Sequence, residues 1–371
     1  MSRLRVVALS AWNERVGARR AAFLRGRWVA GGLWLALAFA TSSVQAENPA
    51  VLPSLPVRNY QPVQLVFPAP ALDGVSLVPP GAWVFGTAFV ESNTMNRSRG
   101  EAGTSSLLID LETTRFELSA RTGLSRRWEL GLTLSFLRRW GGFLDAPIES
   151  VERVVGQLNP AREARARNEV RLRYERLGAP VFDLEKTSKS GLGDATVDLR
   201  FAAWRSSDDL TRLVLRFGAE LPTGNEDALF GNGGIDLFAG IEAERCSGAW
   251  AWRGQLSFIF PDDFLPEAGL ESSPFATASA GLAWQMNSRI AWIGQLDYYG
   301  SALSATFTRE LESGLWELAA GISLRLGPAL ELQIGGVENL VVEPGADFSL
   351  ITRLVYTTHG RVFRSAPLHR R

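Results

Sequence analysis

Histidine is almost absent from this sequence. Its two histidines, His359 and His369, both lie within the last 13 of 371 residues. Hydrolases that pair Ser or Asp with His need an imidazole next to the reacting group to carry the proton. Two histidines in a polar terminal segment do not provide this, and no spacing of Asp or Glu singles out a catalytic pair. We therefore predict that the protein is not an enzyme and has no catalytic residues.

Cysteine and net charge are scarce too. Cys246 is the single cysteine, which excludes an internal disulfide and any cysteine-based metal motif. Lys+Arg and Asp+Glu number 39 each, so no net charge attracts a nucleic acid. We expect no cofactor, no bound metal and no nucleic-acid partner.

Long apolar runs are also missing. No segment approaches the roughly 20 apolar residues that a membrane-spanning helix needs. This excludes a membrane protein built from helices. It does not exclude a membrane β-barrel, because apolar residues alternate with polar ones in barrel strands.

The N-terminus has the order of a secretory signal. Arginines precede an uncharged run from Trp28 to Ala40, and Val44 and Ala46 follow at the small-residue positions of a cleavage site. We predict a signal peptide at residues 1–46 and export from the cytoplasm. A mitochondrial transit peptide is an alternative that fits the arginines but not the apolar run.

The remaining chain divides into an arm and a series of strands. Residues 47–80 contain eight prolines, which cannot join a ladder of paired strands, so we predict an extended N-terminal arm. From residue 81 to 357, apolar and polar residues alternate with period two. Twelve strands are predicted, at about 82–92, 107–123, 128–139, 192–204, 210–221, 234–245, 250–260, 274–285, 290–300, 315–326, 330–340 and 347–357.

The connections alternate in length. Short turns at 124–127, 205–209, 246–249, 286–289 and 327–329 are interleaved with longer loops, of which 141–191 is the longest. Short periplasmic turns, long extracellular loops and an even strand number are typical of an antiparallel outer-membrane β-barrel. The alternative is a secreted β-sandwich or propeller.

Tryptophan supports the barrel. Most tryptophans lie at strand ends, as in the aromatic girdles of membrane barrels, and none lies in the middle of a strand. Trp204 is an exception in one respect, since strict alternation turns it inward. The predicted girdle at the short-turn ends consists of Trp83, Trp128, Trp204, Trp250, Trp252, Trp284 and Trp292.

Strand alternation also predicts which charged side chains face the lumen. In the strand 128–139, Leu130, Leu132, Leu134 and Phe136 would face lipid and Glu129 the lumen. The charged lumen candidates are Arg115, Glu117, Arg121, Glu129, Asp198, Arg200, Arg216, Glu220, Asp236, Glu242, Arg253, Asp297, Glu317, Arg325 and Arg353, with Gln255 and Gln295 beside them. These charges either pair across the lumen and close it, or line a weakly selective pathway for a small solute.

Two further segments bear on the lumen. In loop 141–191, the spacing of Ile148, Val151, Val154, Val155 and Leu158 predicts a short amphipathic helix, and a highly charged stretch follows it. The loop is either a lid or plug over the pore or a solvated surface loop. Residues 358–371 are predicted to be a polar periplasmic tail.

Several stretches resemble an uncharacterised family of proteobacterial outer-membrane proteins, catalogued as a domain of unknown function. They are "LPVRN" at 55–59, "GLSRRWELGLTLSFLRRWGGFLD" at 123–145, "SGLGDATVDLRF" at 190–201, "ELPTGNED" at 220–227 and "VENL" at 337–340. The resemblance implies an outer-membrane barrel and supplies no activity. One departure is the tail after the last strand, where many such barrels end with an aromatic residue.

These observations lead to a functional prediction. We expect a porin-like barrel in the outer membrane of a Gram-negative bacterium, forming a narrow channel or transporter for a small solute and gated by the arm or by loop 141–191. The alternative is a non-conducting structural or docking barrel of the cell envelope. Expected partners are outer-membrane lipid, the barrel-assembly machinery during biogenesis and a small-molecule solute.

Overall fold

The computed structural model describes residues 53–100, 103–155, 166–184, 188–340 and 344–358. The predicted signal peptide and both histidines lie outside these ranges. The chain forms two compact units, and residues 145–167 belong to a different unit from the strands. None of the described helices has the length and apolar character needed to cross a membrane.

The strands form a closed, twelve-stranded antiparallel barrel, which confirms the predicted fold. Each strand pairs with its neighbours in sequence, and β1 also pairs with β12, so the sheet has no open edge. The barrel strands are β1 (Trp83–Arg99), β2 (Ser105–Gly123), β3 (Trp128–Trp140), β4 (Ala195–Arg205), β5 (Thr211–Leu221), β6 (Asp236–Ser247), β7 (Trp250–Phe260), β8 (Phe275–Gln285), β9 (Ile290–Tyr299), β10 (Leu315–Arg325), β11 (Leu330–Asn339) and β12 (Phe348–Thr357).

Side-chain burial alternates along these strands. In β3, Leu132, Leu134 and Phe136 are 41%, 47% and 44% exposed, whereas Glu129 is fully buried. Large apolar side chains on the outside and polar ones inside reverse the order of a soluble protein. This arrangement is the one expected of a barrel whose outer face contacts lipid and whose inner face is polar.

A β-bulge in β4 explains the orientation of Trp204. Ala202 pairs with Val214 and Trp204 pairs with Leu213, so Ala203 is an extra residue with no partner on β5. The extra residue reverses the alternation, and Trp204 is 55% exposed on the outer surface. The inward position that strict alternation assigns to Trp204 is therefore wrong.

The first hairpin extends further than the sequence predicts. The predicted strand ends leave a loop at 93–106, but β1 continues to Arg99 and β2 begins at Ser105. The stretch from Asn93 to Arg99 lacks the large outward apolar residues of a lipid-facing strand. This stretch still pairs with β2, because Leu107 and Ile109 of β2 are buried in an apolar cluster at the long-loop end of the barrel.

The separate unit contains helix α1 (Asp145–Val155), which overlaps the predicted amphipathic helix and begins three residues before Ile148. Leu158 lies outside the described residues. Glu149 accepts hydrogen bonds from Arg153 at 2.7 Å and Arg167 at 2.5 Å.

Shorter elements lie at the long-loop end of the barrel. Arg171–Arg176 pairs with β2 and with Ala179–Asp183, Lys189–Leu192 pairs with β3, and Glu271–Ser272 pairs with Leu303–Ser304. Helix α2 spans Arg309–Glu312, and 3-10 turns span Gln64–Val66, Glu226–Ala228 and Pro266–Ala268. Together with the arm they form a buried apolar cluster, here called the outer cap: Val63, Val66, Phe67, Leu107, Ile109, Leu111, Leu172, Tyr174, Phe182, Leu229, Phe264, Leu270, Ala302, Leu303 and Leu311.

Candidate functional site

The arm, described from residue 53 to 80, lies inside the barrel. It begins beside the wall near Leu55, reaches the outer cap at Phe67, and returns to the short-turn end, where Pro80 bridges to Gly123. Leu55 and Gln61 are fully buried. The arm therefore passes through the lumen twice and fills it as a plug.

Glycines in the wall accommodate two leucines of the arm. A Cβ atom added to Gly335 would lie 2.6 Å from Leu55 Cδ1, and one added to Gly281 would lie 2.7 Å from Leu72 Cδ2. Distances this short are a steric overlap, so a side chain at either position would displace the leucine. The absence of a side chain in the wall creates the space for the plug.

Long polar side chains of the wall donate to carbonyls of the descending part of the arm. Gln255 Nε2 donates to Pro70 O at 2.6 Å, Arg216 Nη1 to Ala71 O at 3.1 Å, and Arg200 Nη2 to Gly74 O at 2.6 Å. An extended, proline-containing segment cannot pair its carbonyls in a ladder, and buried carbonyls need donors. The inward-facing arginines meet that need.

Charged groups also join the arm to the wall. Asp73 of the arm lies 2.8 Å from Arg121, and Val78 N donates to Glu129 Oε2 at 2.6 Å. Arg58 Nη2 donates to Phe67 O at 2.8 Å, which ties the ascending part of the arm to its turn. The plug is thus held by polar contacts along most of its length.

The ion pairs of the wall join neighbouring strands. Arg200 lies between Glu129 at 3.2 Å and Glu242, while Arg216 lies 3.2 Å from Asp198 and 3.5 Å from Glu242. These residues lie on the adjacent strands β3 to β6. These four pairs therefore run along the wall, and the arm occupies the space between opposite walls.

The structure places all fifteen charged lumen candidates on the inner face of the wall. Ten are buried and five are partly buried. The buried ones are Arg115, Glu129, Asp198, Arg200, Glu220, Asp236, Glu242, Arg253, Asp297 and Glu317, and the partly buried ones are Glu117, Arg121, Arg216, Arg325 and Arg353.

Arg139 is an important lumen residue that the sequence analysis missed. It is 2% exposed, and its guanidinium donates to Pro62 O at 2.9 Å, to Leu229 O at 2.6 Å and to Ala228 O. It thus connects the top of the arm to loop 222–235. Arg139 follows Glu129 by ten residues, an even number, so strand alternation places it on the same inward face of β3 and could have identified it.

Asp194 holds loop 222–235 in place. Its carboxylate accepts N–H groups from Gly224 at 2.7 Å and Asn232 at 3.3 Å. Burial raises the pKa of the Asp194 carboxyl, although these backbone donors act in the opposite direction. The motifs "SGLGDATVDLRF" and "ELPTGNED" therefore meet at Asp194 and Gly224.

The seven girdle tryptophans all lie at the short-turn end of the barrel. Six are exposed and Trp284 is partly buried. The rings of Trp250 and Trp284 stack at 5.7 Å on adjacent strands.

Other kinds of site find no support in the described residues. No group of three or more His, Cys, Asp or Glu side chains there could hold a metal ion. Cys246 is a free thiol of intermediate burial in the turn end of β6.

The family described as "Protein of unknown function (DUF3187)" matches residues 36–357, in agreement with the resemblance found in the sequence. A comparison with curated proteins finds no match. Among solved structures, an outer-membrane channel from Pseudomonas putida F1 is similar over 76% of this chain and 97% of its own, at 16% identity and TM-score 0.49. The NanC porin is similar over 73% and 98%, at 8% identity and TM-score 0.42. Outer-membrane phospholipase A from Escherichia coli is similar over 76% and 94%, at 9% identity and TM-score 0.34.

Proposed function

The chain belongs to this family of proteins of unknown function, and we propose that it is a narrow outer-membrane channel for a small solute, closed by its own N-terminal arm. The observation that supports this proposal is the arm itself, which lies in the lumen and whose backbone carbonyls are bound there by wall side chains, contacts that water can replace. The barrel would lie in the outer membrane of a Gram-negative bacterium, reached through the predicted signal peptide.

The chemistry of the plug favours reversible closure. Its carbonyls are bound by Arg200, Arg216 and Gln255 rather than by a β-ladder. Each hydrogen bond to a charged group contributes about 1.5–3 kcal/mol when its loss leaves a partner unsatisfied. In an open lumen, water would satisfy both the arginines and the arm carbonyls, so release costs far less than the sum of these bonds.

The barrel is wide enough to conduct once the arm has left. Twelve strands spaced about 4.8 Å apart and tilted about 40° give a backbone diameter of roughly 24 Å. Barrels of eight strands are filled by their own side chains, whereas those of sixteen or more keep an open channel. In a barrel of intermediate size the lumen has room for a separate plug, and the arm has that position.

The second candidate is a non-conducting structural or docking barrel. The outer cap favours it, because Phe67 of the arm packs against Phe264 at 5.6 Å inside a closed apolar cluster. Loop 141–191 contributes Leu172, Tyr174 and Phe182 to the same cluster. Under this alternative the arm is a permanent part of the fold.

A disulfide between the arm and the wall distinguishes the two. Leu72 and Gly281 are chosen because the Leu72 side chain lies against the Gly281 backbone, with Cδ2 2.7 Å from the place where a Cβ at 281 would be. Formation of the disulfide is verified by mass spectrometry before conductance is recorded. The experiment uses L72C/G281C in a background where Cys246→Ser removes the native thiol. Planar-bilayer conductance is recorded from the refolded barrel before and after reduction, and folding is verified by its heat-modifiable gel shift.

A channel closed by its arm should be silent when oxidised and should show discrete openings after reduction. Each single-cysteine variant serves as the control and should not respond to reduction. Equal conductance in both states would mean that the arm is not the gate. Silence in both states, with correct folding, would favour the non-conducting barrel.

A further inference from the structure

Two acidic side chains in the lumen lack a basic partner. Asp297 on β9 and Glu317 on β10 lie directly opposite each other in the strand register. They are 0% and 1% exposed. No Lys or Arg of the described residues forms an ion pair with either.

Most other acids on the inner face have a basic partner. Glu129 and Glu242 contact Arg200, Asp198 contacts Arg216, and Glu244 lies 2.6 Å from Arg253. Asp236 has none, but it accepts N–H groups from Asn232 and from the Asp262 backbone at 2.7 Å each, so its position is explained by loop contacts. Asp297 and Glu317 are distinguished by lying side by side as a pair without a basic partner.

The polar neighbours of this pair are all neutral. Gln295 Nε2 donates to both carboxylate oxygens of Asp297, at 3.0 Å each, and the Ser279 hydroxyl on β8 also donates to this carboxylate. Three further buried oxygens have no hydrogen-bond partner: Gln295 Oε1, the Tyr299 hydroxyl and Glu317 Oε2. Gln295, Asp297 and Tyr299 occupy successive inward positions of β9, and these residues are at most 3% exposed.

Buried carboxylates without a partner are costly, and ionisable groups at membrane depth usually mark a transport pathway. The missing component is positive charge. A divalent metal would need a larger set of ligands, and no group of three metal-binding side chains occurs among the described residues. A single positive charge balances the pair when one of the two carboxyls keeps its proton, which the repulsion between adjacent carboxylates favours.

We propose that Asp297 and Glu317, with Gln295 and Tyr299, form a binding station for one monovalent positive charge, either an inorganic cation or the ammonium group of the solute. The station deepens the proposed channel function, on which it rests, by making the channel selective for cationic solutes. Release of the arm would open the station to the lumen, whose opposite side carries the arginines.

The first test measures ion selectivity. The variant Asp297→Asn/Glu317→Gln is built in full-length protein carrying Gly281→Val, which is expected to release the arm. Reversal potentials are recorded in a KCl gradient. We expect the cation-to-anion permeability ratio to fall roughly fivefold, the effect of about one charge contact in water. The control is Asp227→Asn, an exposed acid in the 3-10 turn between β5 and β6, which should leave the ratio unchanged.

The second test does not need conduction. The temperature of the gel shift is measured for the full-length protein in potassium chloride, methylammonium chloride and the chloride of the bulky cation N-methylglucamine, at equal ionic strength. Binding to the folded state should raise this temperature in the first two salts relative to the third. The double amide variant should lose the difference, and Asp227→Asn should keep it.

The outcomes separate the two proposals. A larger increase with methylammonium would identify the amine group of a solute as the ligand, and an equal increase would identify any small monovalent cation. A cation effect without conductance would support the station and refute the channel. Conductance with no cation effect in either test would mean that the carboxyls carry only protons, and would overturn the inference.

Discussion

Replacing Gly281 with valine would place methyl groups where Leu72 of the arm now lies. Gly281 faces the lumen on β8, and an added Cβ would meet Leu72 Cδ2 at 2.7 Å. The other two atoms nearest to that Cβ are Arg253 Cβ at 3.8 Å and the Gly294 carbonyl oxygen at 4.0 Å, which are ordinary contact distances. The substitution therefore acts on the arm and leaves the barrel wall largely unstrained.

The magnitude follows from the packing of Leu72, which is 2% exposed. Inserting extra methyl groups into a filled site costs about 1–3 kcal/mol. A fully displaced leucine would lose about 1.5–3 kcal/mol of burial, which is a similar amount. The equilibrium between the inserted and the released arm should thus shift roughly 5- to 150-fold toward release.

Two assays report this shift. Open probability in planar bilayers should rise, and so should the rate at which a maleimide labels a cysteine at Val57, a buried arm residue. The labelling variant also carries Cys246→Ser. Because labelling requires release, its rate should increase by the same factor as the population of the released arm.

Gly294→Val is the matched control. Gly294 is on the outer face of β9, and an added Cβ there has no atom within 4 Å. Both variants should show the normal gel shift. If Gly281→Val folds but its cysteine at position 57 is labelled no faster than in the Gly294→Val background, the packing of Leu72 against Gly281 does not hold the arm in the lumen.

Three further predictions concern the arm and the wall. Arg139→Met removes the donor to Pro62 O, a bond that contributes about 1.5–3 kcal/mol, and should speed arm labelling roughly tenfold or more. Arg138→Met changes an exposed arginine of the same strand and should leave the labelling rate unchanged. Asp73→Asn weakens the partly exposed ion pair with Arg121 and should speed labelling only about twofold to fivefold. A larger effect than that of Arg139→Met would contradict the expectation that Arg139 holds the arm more strongly than Arg121 does. Deleting Ala203 should preserve the folded fraction on gels because it removes the bulge and keeps Trp204 outward, whereas deleting Ala320 from the regular strand β10 should abolish folding by reversing every following side chain.

Local patterns made the barrel itself predictable. In segments such as Trp128 to Trp140, apolar and polar residues alternate because one face of the strand meets lipid and the other meets the lumen. This local pattern does not depend on distant residues, so twelve strands could be located from the sequence. Alternation failed at Trp204, because a bulge adds one residue without any change in composition. It also failed in the first hairpin, where Asn93 to Arg99 lack lipid-facing residues and pair through an apolar cluster formed by distant loops.

The sequence by itself determined the barrel wall: which residues form strands, where the turns lie and which charged side chains have the parity of the inner face. Only the tertiary structure decided what those inner charges contact. The arm, with its eight prolines, has no periodicity that reveals a destination. Its place in the lumen depends on Leu72 meeting Gly281 and on Arg139 reaching Pro62, contacts between residues far apart in the chain that exist only after the barrel has closed.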